Sequence, residues 1–167
     1  ADWVFWITGL PASGKTTIAT SFVSRLRVRH APAVLLDGDL LREVFEHDLG
    51  YSLEDRRRCA RRYARLGRML AAQGVHVVTA TISLFEDVRR WNRAHVPRYV
   101  EVHVRAPAAV RAARDRDRAR APVAYDVPFE EPTTPDLVLD NDGSAAADEV
   151  VERLWAHVRG RLGRDAD

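Results

Sequence analysis

Apolar and polar residues follow two alternating patterns along the chain. A continuous apolar run, typical of a buried parallel strand, occupies residues 3–8, and we predict further strands at residues 33–36, 75–82, 98–104 and 137–139. Helical spacing of apolar residues covers residues 16–28, 39–47, 53–73, 85–94, 107–117 and 145–162. Strands that alternate with helices in this way predict a three-layer α/β fold, in which helices cover both faces of a five-stranded parallel sheet.

Breaks in this pattern mark a helix start and one irregular segment. Ser52 suits the cap of the helix that begins at about Leu53, because acidic residues occupy the first turn. Residues 118–135 are rich in proline and charge and have no periodicity, so we predict a mobile lid segment at about 115–135. From 167 residues with 46% hydrophobic content, we expect one domain over residues 1–167.

The segment between the first strand and the first helix matches the phosphate-binding pattern G-x-x-x-x-G-K-[ST]. Its residues are Gly9, Leu10, Pro11, Ala12, Ser13, Gly14, Lys15 and Thr16, followed by Thr17. In such a loop, glycines let backbone N–H groups turn toward phosphate oxygens, and the next helix directs its positive end at the same anion. We expect Lys15 to contact the β- and γ-phosphates of ATP and the Thr16 hydroxyl to hold Mg²⁺.

Two carboxylates, Asp37 and Asp39, flank Gly38 directly after the second predicted strand. In an open parallel sheet, ligands bind at the carboxyl ends of the strands. One carboxylate there suits the orientation of water on Mg²⁺, and the other suits acceptance of a proton from an attacking hydroxyl. An ordinary acidic turn is the alternative, because Asp-Gly is common in turns.

Composition narrows the range of functions. The net charge of +2, from 26 basic and 24 acidic residues, gives no reason to expect a nucleic-acid partner. Cys59 is the only cysteine, which excludes an internal disulfide and favours a reducing, cytoplasmic compartment. No apolar run approaches the ~20 residues of a membrane span, so no membrane partner is expected. Lys15 is the only lysine, so the chain has no N-K-x-D motif of the kind that reads guanine in signalling GTPases.

Several longer runs resemble the adenylylsulfate kinase (APS kinase) family over nearly the whole chain. These runs are GLPASGKTTIA, LLDGDLLR, DLGYSLEDR, VHVVTATIS, the ARD that ends at Asp115, and DVPFEEP before the fifth strand. The resemblance implies a P-loop fold like that of nucleoside-monophosphate kinases, commonly in a homodimer. It also implies transfer of the γ-phosphoryl group of MgATP to the 3′-hydroxyl of adenylylsulfate.

The resemblance assigns roles to individual residues of the acceptor half. Asp39 matches the family's proposed base, and Asp37 matches the residue near the metal. Arg42 and Arg56 match arginines that hold the acceptor's phosphosulfate, and their planar forks suit such an anion. Tyr51 stands where the family has an aromatic residue that stacks on the acceptor adenine.

Further positions match the family only in part. Ile82 and Ser83 match a strand end that lines the acceptor pocket, and Arg114 matches an arginine near the adenine of ATP. Cys59 occupies the place of an acceptor-binding asparagine; it also lies on the apolar stripe of its helix, which favours a packed core residue. Leu84 replaces a proline.

The lid segment departs most from the family. It is markedly shorter, and Pro122 falls near the place of the family's second aromatic residue. Arg116, Arg118 and Arg120 either close over the transferred phosphate or belong to a merely solvated loop.

These departures leave alternatives to adenylylsulfate as the acceptor. One is phosphorylation of a different small acceptor, for example a cytidine diphosphoramidate or a specialised metabolite. Another is a nucleotide-binding regulatory module without phosphoryl transfer.

Overall fold

The computed structural model describes residues 2–29, 31–116 and 128–163. Its helices and strands begin and end close to the predicted positions. In chain order they are β1 (Val4–Thr8), α1 (Lys15–Val28), β2 (Ala33–Asp37), α2 (Gly38–Val44), α3 (Leu53–Ala72), β3 (His76–Thr81), α4 (Glu86–His95), β4 (Tyr99–Arg105), α5 (Ala108–Arg116), β5 (Leu137–Asp140) and α6 (Ala147–Leu162).

The five strands form one parallel sheet in the order β2-β3-β1-β4-β5. Strand β1 is central and buried along its whole length, which explains its continuous apolar sequence. The predicted five-stranded parallel sheet is therefore confirmed.

Apolar side chains of β1 alternate between two layers of the core. Phe5 and Ile7 pack in one cluster with residues of α1 and α6, including Phe22. Val4 and Trp6 pack in the other cluster with residues of α3 and α4. This alternation follows from the strand period of two, and it explains why helices cover both faces of the sheet.

Three strand ends meet at one edge of the sheet. Thr8 at the end of β1 lies in register with Thr81 at the end of β3. Asp37 at the end of β2 is in register with Ala80. Because the strands are parallel, the three loops that follow them emerge on the same side and define the place of the site.

Helix boundaries lie close to the predicted ones, except that α2 ends at Val44 and not near residue 47. Ser52 caps α3 as expected, since its hydroxyl accepts a hydrogen bond from Asp55 N at 3.1 Å. Helix α5 continues through Arg116, as the predicted helix at 107–117 implies, and the lid segment at about 115–135 stays a prediction. Residues 117–127 of that segment, with Arg118, Arg120 and Pro122, lie outside the described residues. Residues 128–135 form no helix or strand, and their mobility stays a prediction. In the described ranges, no helix is long and apolar enough to span a membrane.

Candidate active site

A cavity of about 620 Å³ lies at this edge of the sheet, between the phosphate loop and helices α2 and α3. It brings together most of the residues that the sequence singled out. They are Pro11, Ala12, Gly14, Lys15, Thr16, Thr17, Asp37, Asp39, Arg42, Tyr51, Arg56, Cys59, Ile82 and Ser83. The predicted residues outside the cavity wall also belong to the phosphate loop or contact it. The loop itself includes Gly9, Leu10 and Ser13, and Arg114 donates to the carbonyl oxygen of Ala12.

Steric contacts explain both glycines of the phosphate loop. A Cβ on Gly9 would lie 2.4 Å from the carbonyl oxygen of Val104, so a side chain there would collide with β4. Gly14 has a φ of 94°, and a Cβ on it would lie 2.3 Å from Asn141 Nδ2. Ala12 also has a positive φ, of 60°. The loop therefore curls tightly, as a cradle of backbone N–H groups requires.

Lys15 opens α1 and is 8% exposed. Its ammonium group donates a hydrogen bond to the carbonyl oxygen of Leu10 at 2.9 Å, so the side chain folds back over its own loop. Gly14 caps the helix with its backbone in the left-handed region. The positive end of α1 and the ammonium group consequently lie at the same point, where they favour an anion.

Two side chains from the C-terminal third of the chain hold the phosphate loop. Asn141 Nδ2 donates to Ser13 O at 2.8 Å. Arg114 donates to Ala12 O at 3.3 Å and to Asn141 O at 3.0 Å. The predicted contact of Arg114 with the adenine of ATP stays a prediction. Asn141 was missed, although its place directly after β5, at the ligand-binding edge of the sheet, was a usable signal.

Thr16 and Asp37 form an oxygen pair at the metal position predicted from the sequence. Thr16 Oγ1 donates to Asp37 Oδ2 at 2.9 Å. The other carboxylate oxygen, Oδ1, accepts from the backbone N–H groups of Asp39 at 3.0 Å and Leu40 at 3.4 Å, and so caps α2. Asp37 therefore combines the acidic-turn role with an orientation toward the phosphate loop. A hydroxyl and a carboxylate side by side are hard ligands of the kind that Mg²⁺ prefers.

Arg42, Arg56 and Tyr51 form a second polar group in the cavity wall. The guanidinium groups lie 4.4 Å (Arg42) and 5.3 Å (Arg56) from the centre of the Tyr51 ring. Arg42 donates to the carbonyls of Leu49 and Gly50, and Arg56 Nε donates to Tyr51 O at 2.9 Å. Burial, and then the positive charge of Arg42, lower the pKa of Arg56. Two close cations held by backbone carbonyls suit the recognition of an anion.

Cys59 lies both in the apolar core and in the cavity wall, the two places that the sequence suggested. It is 7% exposed and belongs to the apolar cluster under α3, yet it also lines the cavity. One helical turn later, the Tyr63 hydroxyl donates to Gly38 O at 3.3 Å, which ties α3 to the turn between the two aspartates. Burial, followed by the contact with Cys59, raises the pKa of Tyr63. Tyr63 therefore stays protonated and keeps its role as a donor.

The cavity also contains aromatic residues that sequence reasoning missed. Phe85 and Phe129 line one part of its wall, with ring centroids 6.4 Å apart and planes at 61°. The available signal was an aromatic residue in the DVPFEEP run, inside a segment otherwise rich in proline and acid.

Known proteins are similar to this chain in both sequence and fold. Residues 1–140 match the adenylylsulphate kinase family model. The adenylyl-sulfate kinase of Paraburkholderia xenovorans is 39% identical over 165 residues, which cover 93% of this chain and 92% of that protein. The cytidine diphosphoramidate kinase of Campylobacter jejuni is 30% identical over 161 residues, covering 91% of this chain and 94% of that protein.

A solved structure extends the match to three dimensions. It is an APS kinase of Mycobacterium tuberculosis in complex with AMPPNP and APS, with a TM-score of 0.83 and 27% identity. The alignment covers 95% of this chain and 98% of that one. The phosphate loop, the parallel sheet and these matches agree. The chain belongs to the adenylylsulphate kinase family of ATP-dependent phosphotransferases that act on a hydroxyl acceptor.

Proposed function

We propose that residues 1–167 form one kinase domain that transfers the γ-phosphoryl group of MgATP to the 3′-hydroxyl of adenylylsulfate. One observation carries the proposal: a single cavity holds the phosphate-loop Lys15, the carboxylate of Asp39 and the Arg42–Arg56 pair. The groups that bind the phosphate donor, take up a proton and bind an anion thus line the same cavity, within reach of one bound acceptor molecule. The family match supports the same reaction.

The donor half consists of the loop and the start of α1. Backbone N–H groups of the loop bind the phosphates of ATP, and Lys15 exchanges its bond with Leu10 O for phosphate oxygens. Phosphoryl transfer requires little covalent chemistry from the protein, so positioning and charge stabilisation provide most of the catalysis. The cradle fixed by Asn141 and Arg114 supplies that positioning.

Thr16 and Asp37 fit a Mg²⁺ ion that accompanies ATP. The Thr16 hydroxyl and Asp37 Oδ2 would hold it, directly or through its water, and a bound ion neutralises charge on the phosphate oxygens. Asp37 cannot swing away freely, because its other oxygen caps α2.

Asp39 is the general base of this proposal. Its carboxylate accepts the proton of the acceptor hydroxyl as that oxygen attacks the γ-phosphorus. Asp39 lies in the first turn of α2 and lines the same cavity as Lys15.

The acceptor half consists of Arg42, Arg56, Tyr51, Ile82 and Ser83. The two guanidinium groups bind the phosphosulfate, and they already share the Tyr51 ring. The strand end at Ile82 and Ser83 lines the same cavity and closes it on the side of β3.

A second candidate acceptor is a cytidine diphosphoramidate. The related enzyme of Campylobacter jejuni supports it. So does Cys59, which lines the cavity in place of the family's asparagine. A thiol is a weak donor and a weak acceptor, so recognition of the acceptor at this point differs from that of the family.

The experiment is an acceptor comparison with purified protein and MgATP. Adenylylsulfate should be consumed with equimolar formation of ADP and a 3′-phosphorylated product, identified by mass spectrometry. If the protein phosphorylates cytidine diphosphoramidate but not adenylylsulfate, the second candidate acceptor replaces the first. ATP binding without turnover of either acceptor at high enzyme concentration would favour the regulatory module.

We also infer a homodimer in a reducing compartment such as the cytoplasm. The family resemblance supports the dimer, and the single Cys59 supports the compartment. Light scattering on the purified protein measures the assembly directly.

A further inference from the structure

A second cavity, of about 520 Å³, lies between the C-terminal halves of α1 and α6. We call it the α1–α6 cavity, and its wall includes Arg25, Val28, Arg29, Glu152, Trp155 and Arg159. These residues do not belong to the described wall of the active-site cavity. Helix α1 begins at Lys15 in the phosphate loop and reaches the second cavity only at Arg25, so at 1.5 Å per residue the two cavities lie roughly 15–20 Å apart.

Trp155 supports two of the arginines in this wall. Its indole is 7% exposed, and the ring of Phe22 packs against it with centroids 6.3 Å apart. The guanidinium of Arg29 lies 4.4 Å from the centre of the indole, and that of Arg25 lies 5.8 Å from it. A guanidinium that lies against an aromatic ring keeps the N–H donors at its edge available. Trp155 therefore holds these side chains in place without using their hydrogen-bonding capacity.

The wall has an excess of positive charge. Arg25 is paired with Glu152. Arg29 and Arg159 form no ion pair with a carboxylate of residues 2–29, 31–116 or 128–163. Two guanidinium charges in one wall repel each other, and an anion between them replaces this repulsion with attraction.

Compensation of the helix dipoles does not by itself explain this arrangement. Basic residues are favourable in the last turn of a helix because they face its negative end. On α1, Arg27 lies in that turn and its Nε donates to Ala33 O at 3.0 Å, outside the cavity wall. On α6, Arg161 also lies in the last turn and outside the wall. Arg29 and Arg159 instead line one cavity from two different helices, which indicates a shared ligand.

We propose that the α1–α6 cavity binds a small anion through a phosphate or sulfate group, held by the guanidinium groups of Arg29 and Arg159. A planar guanidinium donates two parallel hydrogen bonds to such an oxyanion. The group is either a free inorganic ion or part of an ester. Val28 is 79% exposed in the same wall and offers an apolar contact to the organic part of an ester. This site is separate from the donor and acceptor halves of the kinase and does not depend on the identity of the acceptor.

The first experiment follows the indole N–H signal of Trp155 by NMR in ¹⁵N-labelled protein. Trp155→Phe assigns this signal among those of the four tryptophans. A saturating non-hydrolysable ATP analogue with Mg²⁺ first occupies the phosphate loop. Inorganic phosphate, sulfate and ribose 5-phosphate are then titrated at an ionic strength held constant with potassium chloride. Each of the three anions should shift the Trp155 signal along a saturable curve.

The second experiment repeats the phosphate titration with matched variants. Arg159→Gln should raise the Kd for phosphate about ten-fold, because a charge-assisted contact is lost. Arg29→Lys keeps the charge but loses the planar fork, and it should raise the Kd several-fold. Arg153→Gln removes the same charge from an exposed position on α6 outside the wall, and it should leave the Kd unchanged. The kinase rate of each variant in phosphate-free buffer should equal that of the wild type.

Three results would overturn the site. One is a Trp155 shift that rises linearly without saturation. Another is an equal Kd in the wild type, Arg29→Lys and Arg159→Gln. The third is an equal loss of affinity in Arg153→Gln and Arg159→Gln, which would make the overall charge of α6 the cause.

Further probes separate the sources of the anion. Equal affinities for phosphate and ribose 5-phosphate would assign the site to a free inorganic ion, and tighter binding of ribose 5-phosphate would assign it to organic phosphates; both results uphold the site. Hexaglutamate, titrated in the same way, tests for a protein partner. If hexaglutamate shifts the Trp155 signal at a concentration where none of the small anions does, the surface docks an acidic protein segment and the proposal is wrong.

Discussion

The hydroxyl of Thr16 donates to Asp37 Oδ2 at 2.9 Å and so joins the first turn of α1 to the end of β2. If this pair holds Mg²⁺, Thr16→Val should weaken the apparent affinity for Mg²⁺ at least about ten-fold, because a methyl group cannot ligate the ion. Activity titrated against Mg²⁺ at fixed ATP measures the effect. Thr20→Val, on an exposed turn of the same helix, is the control. An unchanged Mg²⁺ requirement in Thr16→Val would contradict the metal assignment.

Asp39→Asn should reduce kcat by about 10²–10⁴, because an amide cannot accept the proton of the acceptor hydroxyl. The affinity for ATP, measured by calorimetry, should change little, since the phosphate loop is untouched. Glu43→Gln removes an exposed carboxylate from the same helix and should leave kcat unchanged. Wild-type turnover by Asp39→Asn would show that another group takes the proton.

Arg56→Lys should raise the KM for the acceptor about ten-fold and leave the KM for ATP unchanged. Lysine keeps the charge but loses the planar fork that binds two oxygens of one anion. Arg58→Lys, at an exposed position on the same helix, is the matched control. A similar change in both variants would point to the overall charge of α3 as the cause, not to a specific contact.

Asn141→Ala should raise the KM for ATP several-fold and lower the free energy of unfolding by about 1 kcal/mol. The change removes the 2.8 Å bond to Ser13 O, so one side of the phosphate loop loses its support. Chemical denaturation and initial-rate kinetics measure the two effects. Asp142→Ala, which affects only a local exposed contact with Ser144, should retain the wild-type KM for ATP.

His103 should make the protein less stable in mild acid. Burial lowers the pKa of this histidine below its ordinary 6.5; Glu131 opposes the effect, and Arg105 and Arg89 add to it. The folded chain then resists a proton that the unfolded chain accepts, so stability is complete above about pH 6.5 and declines below it. His103→Gln should therefore lose less Tm between about pH 7.5 and 5.5 than the wild type.

An exposed histidine provides the comparison for that experiment. His95→Gln, at an exposed position near the end of α4, measures how much a histidine substitution elsewhere in the chain changes Tm over this pH interval. Parallel Tm curves for the wild type and His103→Gln would mean that His103 titrates normally in the folded chain.

The sequence was sufficient for the elements and for the phosphate loop, because both depend on local patterns. Strand β1 is a continuous apolar run, and the loop carries its whole motif within eight consecutive residues. The strand order was beyond such reasoning, since no local pattern states that β1 lies between β3 and β4.

Residues that reach the site from distant segments were missed for the same reason. Asn141 lies more than 100 positions after the phosphate loop that it supports, and Phe129 reaches the cavity from a segment far from α2 and α3 in sequence, so only the folded chain brings them there. Cys59 shows a different limit. Core packing and acceptor contact were posed as alternatives, whereas Cys59 both packs in the apolar cluster and lines the cavity, and its contact with an acceptor stays a prediction.

The support that Arg114 and Asn141 give to the phosphate loop also determines when the protein becomes able to bind ATP during synthesis. The loop leaves the ribosome before β3, β4 and residue 141, so β1 must wait for its two neighbouring strands and the loop must wait for Asn141. These pairings are distant in sequence, so they form late and slowly. Nascent chains that end before Asn141 should therefore carry the complete phosphate-binding motif and yet bind ATP poorly.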